Sequence, residues 1–255
     1  MVVDNRESSG AVRRLRSIIS LSYYSGILVV IRQPGMIIFS STTPFTLIFF
    51  LFVIGGRSYL PYGVIGGTIS ILVSAGLFLG ADATMYRIQY KFQDFCVASP
   101  ISAVDYLVGL SLGEVTFVAP SLAVIIGLYG YLGLISWSFP LVIVMMILAW
   151  IFASALGFFL STYILQSRSA FTITSLVTTL LTVLPPVFYP ITVIPESFRF
   201  LAYFVPTTHL SVLIQSMLGL QRYSLGQIEL SWFALIGFTF FFLLLATFKA
   251  RWQQP

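Results

Sequence analysis

Leu230–Phe248 reads LSWFALIGFTFFFLLLATF, nineteen residues without a charge. A helix of about 20 apolar residues crosses the hydrocarbon core of a bilayer. Phe238, Phe240, Phe241 and Phe242 cover several faces of one helix. Such a helix has no polar side to offer water and faces lipid or other helices instead. The basic pair Lys249 and Arg251 follows it. The whole chain has the same character. Of its 255 residues 58% are hydrophobic and 8% charged. A soluble domain carries roughly 25% charged residues. An ordinary soluble globule is excluded, and so is disorder, which requires low hydrophobicity.

Five more apolar stretches lie upstream of this one. The expected spans are 36–54, 61–80, 105–126, 139–165 and 169–184. Gly55-Gly56-Arg57 closes the first, and Pro61 opens the second as a first-turn residue. Six crossings occupy nearly all of the chain. Small residues recur at four-residue spacing in Gly63/Gly67, Gly76/Gly80 and Gly109/Gly113. They allow close approach of helices, read here as packing within the chain.

The N-terminal region differs. Residues 1–10 form a polar tail. From Ala11 to Tyr24 the pattern is amphipathic: Val12, Leu15, Ile18, Ile19 and Tyr23 share one arc, and Arg13, Arg16, Ser17, Ser20 and Tyr24 share the other. Arg14 sits at the edge. A helix of this kind lies in the membrane interface with its arginines among headgroups. The interfacial segment is 11–33, ending at Arg32-Gln33 before Pro34-Gly35. No small-residue cleavage site follows its apolar stretch, so it reads as retained.

Basic residues set the orientation. With the N-terminus in the cytoplasm, Arg6, Arg13, Arg14, Arg16, Arg32, Arg87, Lys91, Arg168, Lys249 and Arg251 all lie inside. Arg57, Arg199 and Arg222 lie outside. The positive-inside rule supports a multi-pass protein of the cell membrane with both termini cytoplasmic. The net charge of +5 has no dense run outside the N-terminal segment, which argues against nucleic acid.

Chemistry-bearing motifs are few. A phosphate-cradling loop needs Gly-Lys-Ser/Thr. The two lysines, Lys91 and Lys249, follow Tyr90 and Phe248, so neither qualifies. One cysteine, Cys96, and one histidine, His209, give no basis for a disulfide or a metal site. No nucleophile–base–acid constellation is evident, and no enzymatic activity is expected of the chain itself.

Two segments do not read as spans. The cytoplasmic loop 85–104 mixes aromatics with both signs of charge and stops at Ser99-Pro100. Phe92, Phe95 and Cys96 fall at helical spacing. A short amphipathic helix there suits either docking of a soluble partner or rest on the membrane surface. The segment 185–228 is apolar yet proline-punctuated: Pro185-Pro186-Val187-Phe188-Tyr189-Pro190, Ile194-Pro195-Glu196, Pro206-Thr207-Thr208-His209. Irregular backbone cannot face lipid unsatisfied. Two short helices, about 196–204 and 207–218, are expected to re-enter the outer leaflet as a lid or gate. Phe188 and Tyr189 are gate candidates by position.

Glu114 lies about nine residues into the third span, roughly 13 Å deep. It either lines a pathway or relays a proton, or it is a neutral acid hydrogen-bonded to a neighbouring helix. Asp82 and Asp105 read as interfacial caps near span ends.

Four motifs in order carry a resemblance: Arg32-Gln33-Pro34 before the first span, Ala98-Ser99-Pro100-Ile101-Ser102 between spans two and three, Pro186-Val187-Phe188-Tyr189-Pro190-Ile191 with Ile194-Pro195-Glu196 after span five, and Tyr203-Phe204-Val205-Pro206-Thr207-Thr208-His209. The chain resembles permease subunits of ABC-2 type exporters over nearly its whole length. The resemblance implies an all-α membrane protein. It has an interfacial elbow helix carrying Arg13, Arg14, Arg16 and Arg32, a six-span domain over 34–255, a coupling helix between spans two and three, and a re-entrant hairpin between spans five and six. Two permeases, identical or different, pair within the bilayer. Each binds a separate nucleotide-binding ATPase that holds ATP and Mg2+, and this chain binds no cofactor. Asp94, Ser99 and Pro100 carry over as coupling residues, with Lys91 and Phe95 beside them. Many members have a Glu-rich stretch with Gly-Thr ahead of the Ser-Pro. Here Arg87 and Lys91-Phe92 stand there, and Asp94 takes the acidic place. The cargo implied is a drug-like amphiphile, a lipid or a polysaccharide. The alternative is an ion-coupled secondary transporter using Glu114.

Overall fold

The computed structural model describes residues 4–99 and 101–249. Pro100 and Arg251 therefore lie outside the described residues. The elements are α1 (Asp4–Ser22), a wide π turn, α2 (Leu28–Arg32), α3 (Pro34–Gly55), α4 (Leu60–Ile88), α5 (Phe92–Ala98), α6 (Ala103–Tyr131), α7 (Phe139–Ser161), α8 (Ser167–Thr182), α9 (Glu196–Tyr203), α10 (Pro206–Met217) and α11 (Leu225–Leu244). Among the described residues there is no strand.

Helix starts follow local chemistry. Pro34 opens α3 after Gln33 leaves helical geometry, as proline does best in a first turn. Ser102 and Asp105 form a reciprocal capping box at the start of α6, and Ser224 and Gln227 do so for α11. Asp105 is thus a cap, as its position suggests.

Six helices are long and apolar enough to cross a membrane: Val12–Arg32, Pro34–Ser58, Leu60–Ile88, Ala103–Tyr131, Phe139–Ser161 and Leu225–Phe248. The number matches expectation, but the set does not. The N-terminal stretch, expected to be interfacial, runs as one helical path from α1 through α2 and meets the length requirement. The expected fifth span, α8, has 16 residues, roughly 24 Å at 1.5 Å per residue. The second span extends eight residues past its expected end at Gly80, because Ala81–Ile88 keeps helical packing against its neighbours.

α4 is the central helix, with nearly every position from Gly63 to Thr84 buried. Its most extensive contact is with α7, and it also packs on α3, α6 and α8. Glycine makes the α7 contact possible. A Cβ on Gly157 would come within 2.6 Å of the Gly76 carbonyl oxygen, and one on Gly76 within 2.6 Å of the Ser154 nitrogen. A Cβ on Gly80 would overlap the Gly157 backbone. The Gly109/Gly113 pair takes the N-terminal segment instead, against Leu21, Ser25 and Gly26. The four-residue spacings therefore serve packing within the chain. Polar crosslinks add to it. Ser111 donates to Ser154 at 2.7 Å between α6 and α7, and Ser41 on α3 bonds Ser121 on α6.

The contrast between two glycines tests this. Leucine at Gly157 is expected to lower unfolding stability in detergent by about 1–3 kcal/mol. Leucine at Gly237, around which nothing stands within 4 Å, is expected to leave it unchanged or raise it by up to about 1 kcal/mol. Equal effects at the two positions would contradict the close contact.

Candidate functional site

The loop between α4 and α6 is built by stops on both sides. α4 ends at Ile88, and three residues later Lys91 adopts φ 53, the left-handed region rare for a side-chain-bearing residue. That reversal starts α5. Ser99 ends it: its backbone is extended (φ −99, ψ 166), and its hydroxyl donates to the Cys96 carbonyl at 2.7 Å. A following proline disfavours helix at that residue.

α5 has two faces. Gln93 and Cys96 point inward, and Cys96 packs with Leu21, Leu79, Tyr106 and Leu110. Lys91, Asp94 and Phe95 point outward, Phe95 at 71% exposure. Phe92 lies between, its ring 5.8 Å from that of Tyr86. Phe95 and Cys96, grouped by spacing in the sequence, therefore differ in exposure, since adjacent residues on a helix are about 100° apart. Burial pushes the Cys96 thiol up to about 11.

Arg87, in the sequence a cytoplasmic charge and a departure in the loop, has a structural task. One terminal guanidinium nitrogen donates to the carbonyls of Ser161 and Ile164, each at 2.7 Å. These carbonyls end α7 and its turn, where backbone acceptors lack helical partners. Arg87 thereby ties the C-terminal end of α4 to the α7–α8 connection.

Glu114 lies on α6, roughly 17 Å from its start, and is 6% exposed. Its carboxyl is hydrogen-bonded to that of Asp82 on α4. Asp82 is therefore a helix–helix contact rather than an interfacial cap. A bond between two carboxyls needs a proton on one of them. Sequence spacing alone gave no hint that residues 82 and 114 meet.

At the other end of the bundle, α9 and α10 occupy the two short stretches expected to be helical. α10 is buried from Pro206 to Gln215. Three of its polar residues, Thr207, Ser211 and Gln215, recur every four positions and so share one face. Thr207 donates to Leu181 in the last turn of α8 at 2.5 Å, and Ser211 and Gln215 donate to Val187 at 3.4 Å and Tyr189 at 3.5 Å in the irregular chain before α9. This ladder satisfies backbone that lipid would leave unpaired. Tyr223 donates to Gln215 at 2.7 Å. The ring nitrogens of His209 bond Tyr203 O at 2.8 Å and Ser231 Oγ at 3.3 Å. Phe188 packs its ring against Gly66 within the core, and Tyr189 is partly buried beside it. The signal for the ladder was legible as a period-four polar row in an apolar helix.

Arg13, Arg14, Arg16 and Arg32 are all exposed. Among the described residues no group of His, Cys, Asp and Glu has a metal-binding arrangement.

A multi-pass helical protein with this loop and these terminal helices is a membrane permease in form. The sequence model of the ABC-2 type transporter family matches residues 19–219, and the chain belongs to that family. The family is a transmembrane permease domain, not itself an ATPase, and is generally paired with an ATPase subunit. No curated protein matches the chain.

Two predictions follow from these contacts. Glu114→Ala, which leaves Asp82 without its partner, is expected to cost about 1–3 kcal/mol in detergent unfolding. Glu114→Gln, which still offers a donor, is expected to stay within about 1 kcal/mol of wild type. No loss in the alanine variant would break the assigned contact. For Cys96, the thiolate fraction at pH 8 is on the order of a thousandth. Alkylation of the folded chain is therefore expected to be slow at pH 8 and fast only after denaturation.

Proposed function

We propose that this chain is the permease subunit of an ATP-driven exporter. It pairs with a second permease and docks a separate nucleotide-binding ATPase at its coupling loop. The observation that carries the docking is the outward face of α5. Lys91, Asp94 and Phe95 stand exposed on a short helix whose other face is buried against α4 and α6. A large exposed phenyl ring flanked by both signs of charge is an anchor for a protein partner. Because α5 is joined directly to α4 and α6, a push on it is delivered to the bundle. Ser99 ends α5, and Pro100 follows it in sequence.

In this reading residues 11–33 lie at the cytoplasmic interface and α8, extended by Val183 and Leu184, completes the six spans. Arg13, Arg14, Arg16 and Arg32 suit headgroups better than hydrocarbon. Both termini face the cytoplasm of the cell membrane. The α9–α10 hairpin re-enters from outside, with Tyr189 as the gate residue and Phe188 as its packed support. A cleft of about 530 Å³ between α3 and α6, lined by Ile37, Ser41, Thr42, Phe45, Pro120 and Ser121, is apolar with a few hydroxyls. It suits an amphiphilic cargo. ATP and Mg2+ belong to the partner.

The test is a pulldown of the detergent-solubilised chain against candidate ATPase subunits. Wild type is expected to retain its ATPase. Asp94→Arg with Phe95→Ala is expected to lose it while keeping wild-type stability. The Asp82–Glu114 pair favours a second reading, ion-coupled transport without an ATPase. That reading gains if no ATPase co-purifies and the chain alone dissipates a proton gradient when substrate is added.

A further inference from the structure

A cavity of about 670 Å³ opens between the N-terminal helix, the cytoplasmic end of α4 and the coupling loop. That volume is in the range of small-molecule sites. Its lining combines basic and hydroxyl groups with apolar ones. Arg13, Arg16, Ser20 and Tyr24 supply the first, and the two arginines, three apart, share a helix face. Leu21, Cys96, Ile101 and Leu110 supply the second, and all but Ile101 are buried core residues. No acidic side chain is among the lining residues. Asp94, on the same short helix as Cys96, points away from it.

This combination matches one kind of molecule. Two guanidiniums beside hydroxyls take a phosphate, because charge-assisted N–H bonds to phosphate oxygens are strong and directional. The apolar part takes a hydrocarbon stem. A cationic or zwitterionic headgroup would bring a positive charge against two arginines. We infer that this cavity binds one acidic phospholipid from the adjoining leaflet, its phosphate at Arg13 and Arg16 and its acyl stem along Leu21 and Leu110. Phe92 and Phe95 of α5 share the wall, so the lipid would lie against α5. The inference goes beyond the ATPase-driven reading, and its test uses no ATPase, so either can fail alone.

The experiment is native mass spectrometry of the purified full chain in neutral detergent. The probes are dioleoyl phosphatidylglycerol, dioleoyl phosphatidylcholine and inorganic phosphate. One phosphatidylglycerol per chain is expected on wild type, with phosphatidylcholine and inorganic phosphate far weaker. Arg13→Gln with Arg16→Gln is expected to weaken binding by on the order of a hundredfold, the loss of two charge-assisted bonds. Arg14→Gln with Arg32→Gln removes the same charge outside the cavity and is expected to cost no more than about tenfold. Ser20→Trp fills the cavity with both arginines present and is expected to abolish binding even if the arginine variant misfolds. Equal loss in the two arginine pairs would reduce the effect to diffuse attraction and overturn the site. Equal retention of phosphatidylcholine, or inorganic phosphate bound as tightly as the lipid, would also overturn it. So would a wild type that retains no phospholipid while the Arg13/Arg16 variant loses a protein partner.

Discussion

The backbone of α4 lies almost against the backbone of α7, and the rest of the bundle is arranged around that contact. Gly76, Gly80 and Gly157 are the residues that permit it, because any side chain there would meet main-chain atoms rather than a movable side chain. In a bilayer, lipid tails are as apolar as the helices, so hydrophobic burial gives little drive for association. Close van der Waals packing and short polar crosslinks must supply it. The Ser111–Ser154 bond and the Arg87 clasp on the end of α7 are such crosslinks. With α4 fixed, α3, α6 and α8 take their places on its remaining faces.

The same economy of polar groups explains the segment between α8 and α11. Its prolines prevent a regular helix, and its composition is wrong for water. The chain resolves the conflict by facing carbonyls of the irregular chain and of the last turn of α8 with a polar row on α10. Thr207, Ser211 and Gln215 are buried completely, yet each has a carbonyl partner. His209 bonds the Tyr203 carbonyl at the α9–α10 corner and Ser231 on α11.

The apolar stretches, their order and the short α5, α9 and α10 were legible in the sequence, because hydrophobic runs and proline punctuation are local signals. The fine assignment of spans was not. Residues 12–32 and α8 are both borderline in length and polarity, so composition ranks them differently from amphipathic pattern. Contacts across the fold were also hidden. Nothing local marks Asp82 as the partner of Glu114, or Arg87 as the ligand of two carbonyls 74 and 77 residues away. The faces of α5 were half legible: helical spacing was clear, but only packing against Leu79 and Tyr106 decides that Cys96 is the inward residue.

What joins these features is a short helix held rigidly on one side and bare on the other. α5 is joined in sequence to α4 and α6 and packs through Cys96 on both, while Phe95 stays exposed. The most direct test is a photo-crosslinking amino acid at position 95 in native membranes, compared with one at exposed Phe233 on α11. The account predicts an adduct with an ATPase-sized polypeptide from position 95 and none from position 233. Lipid adducts alone from position 95 would contradict it.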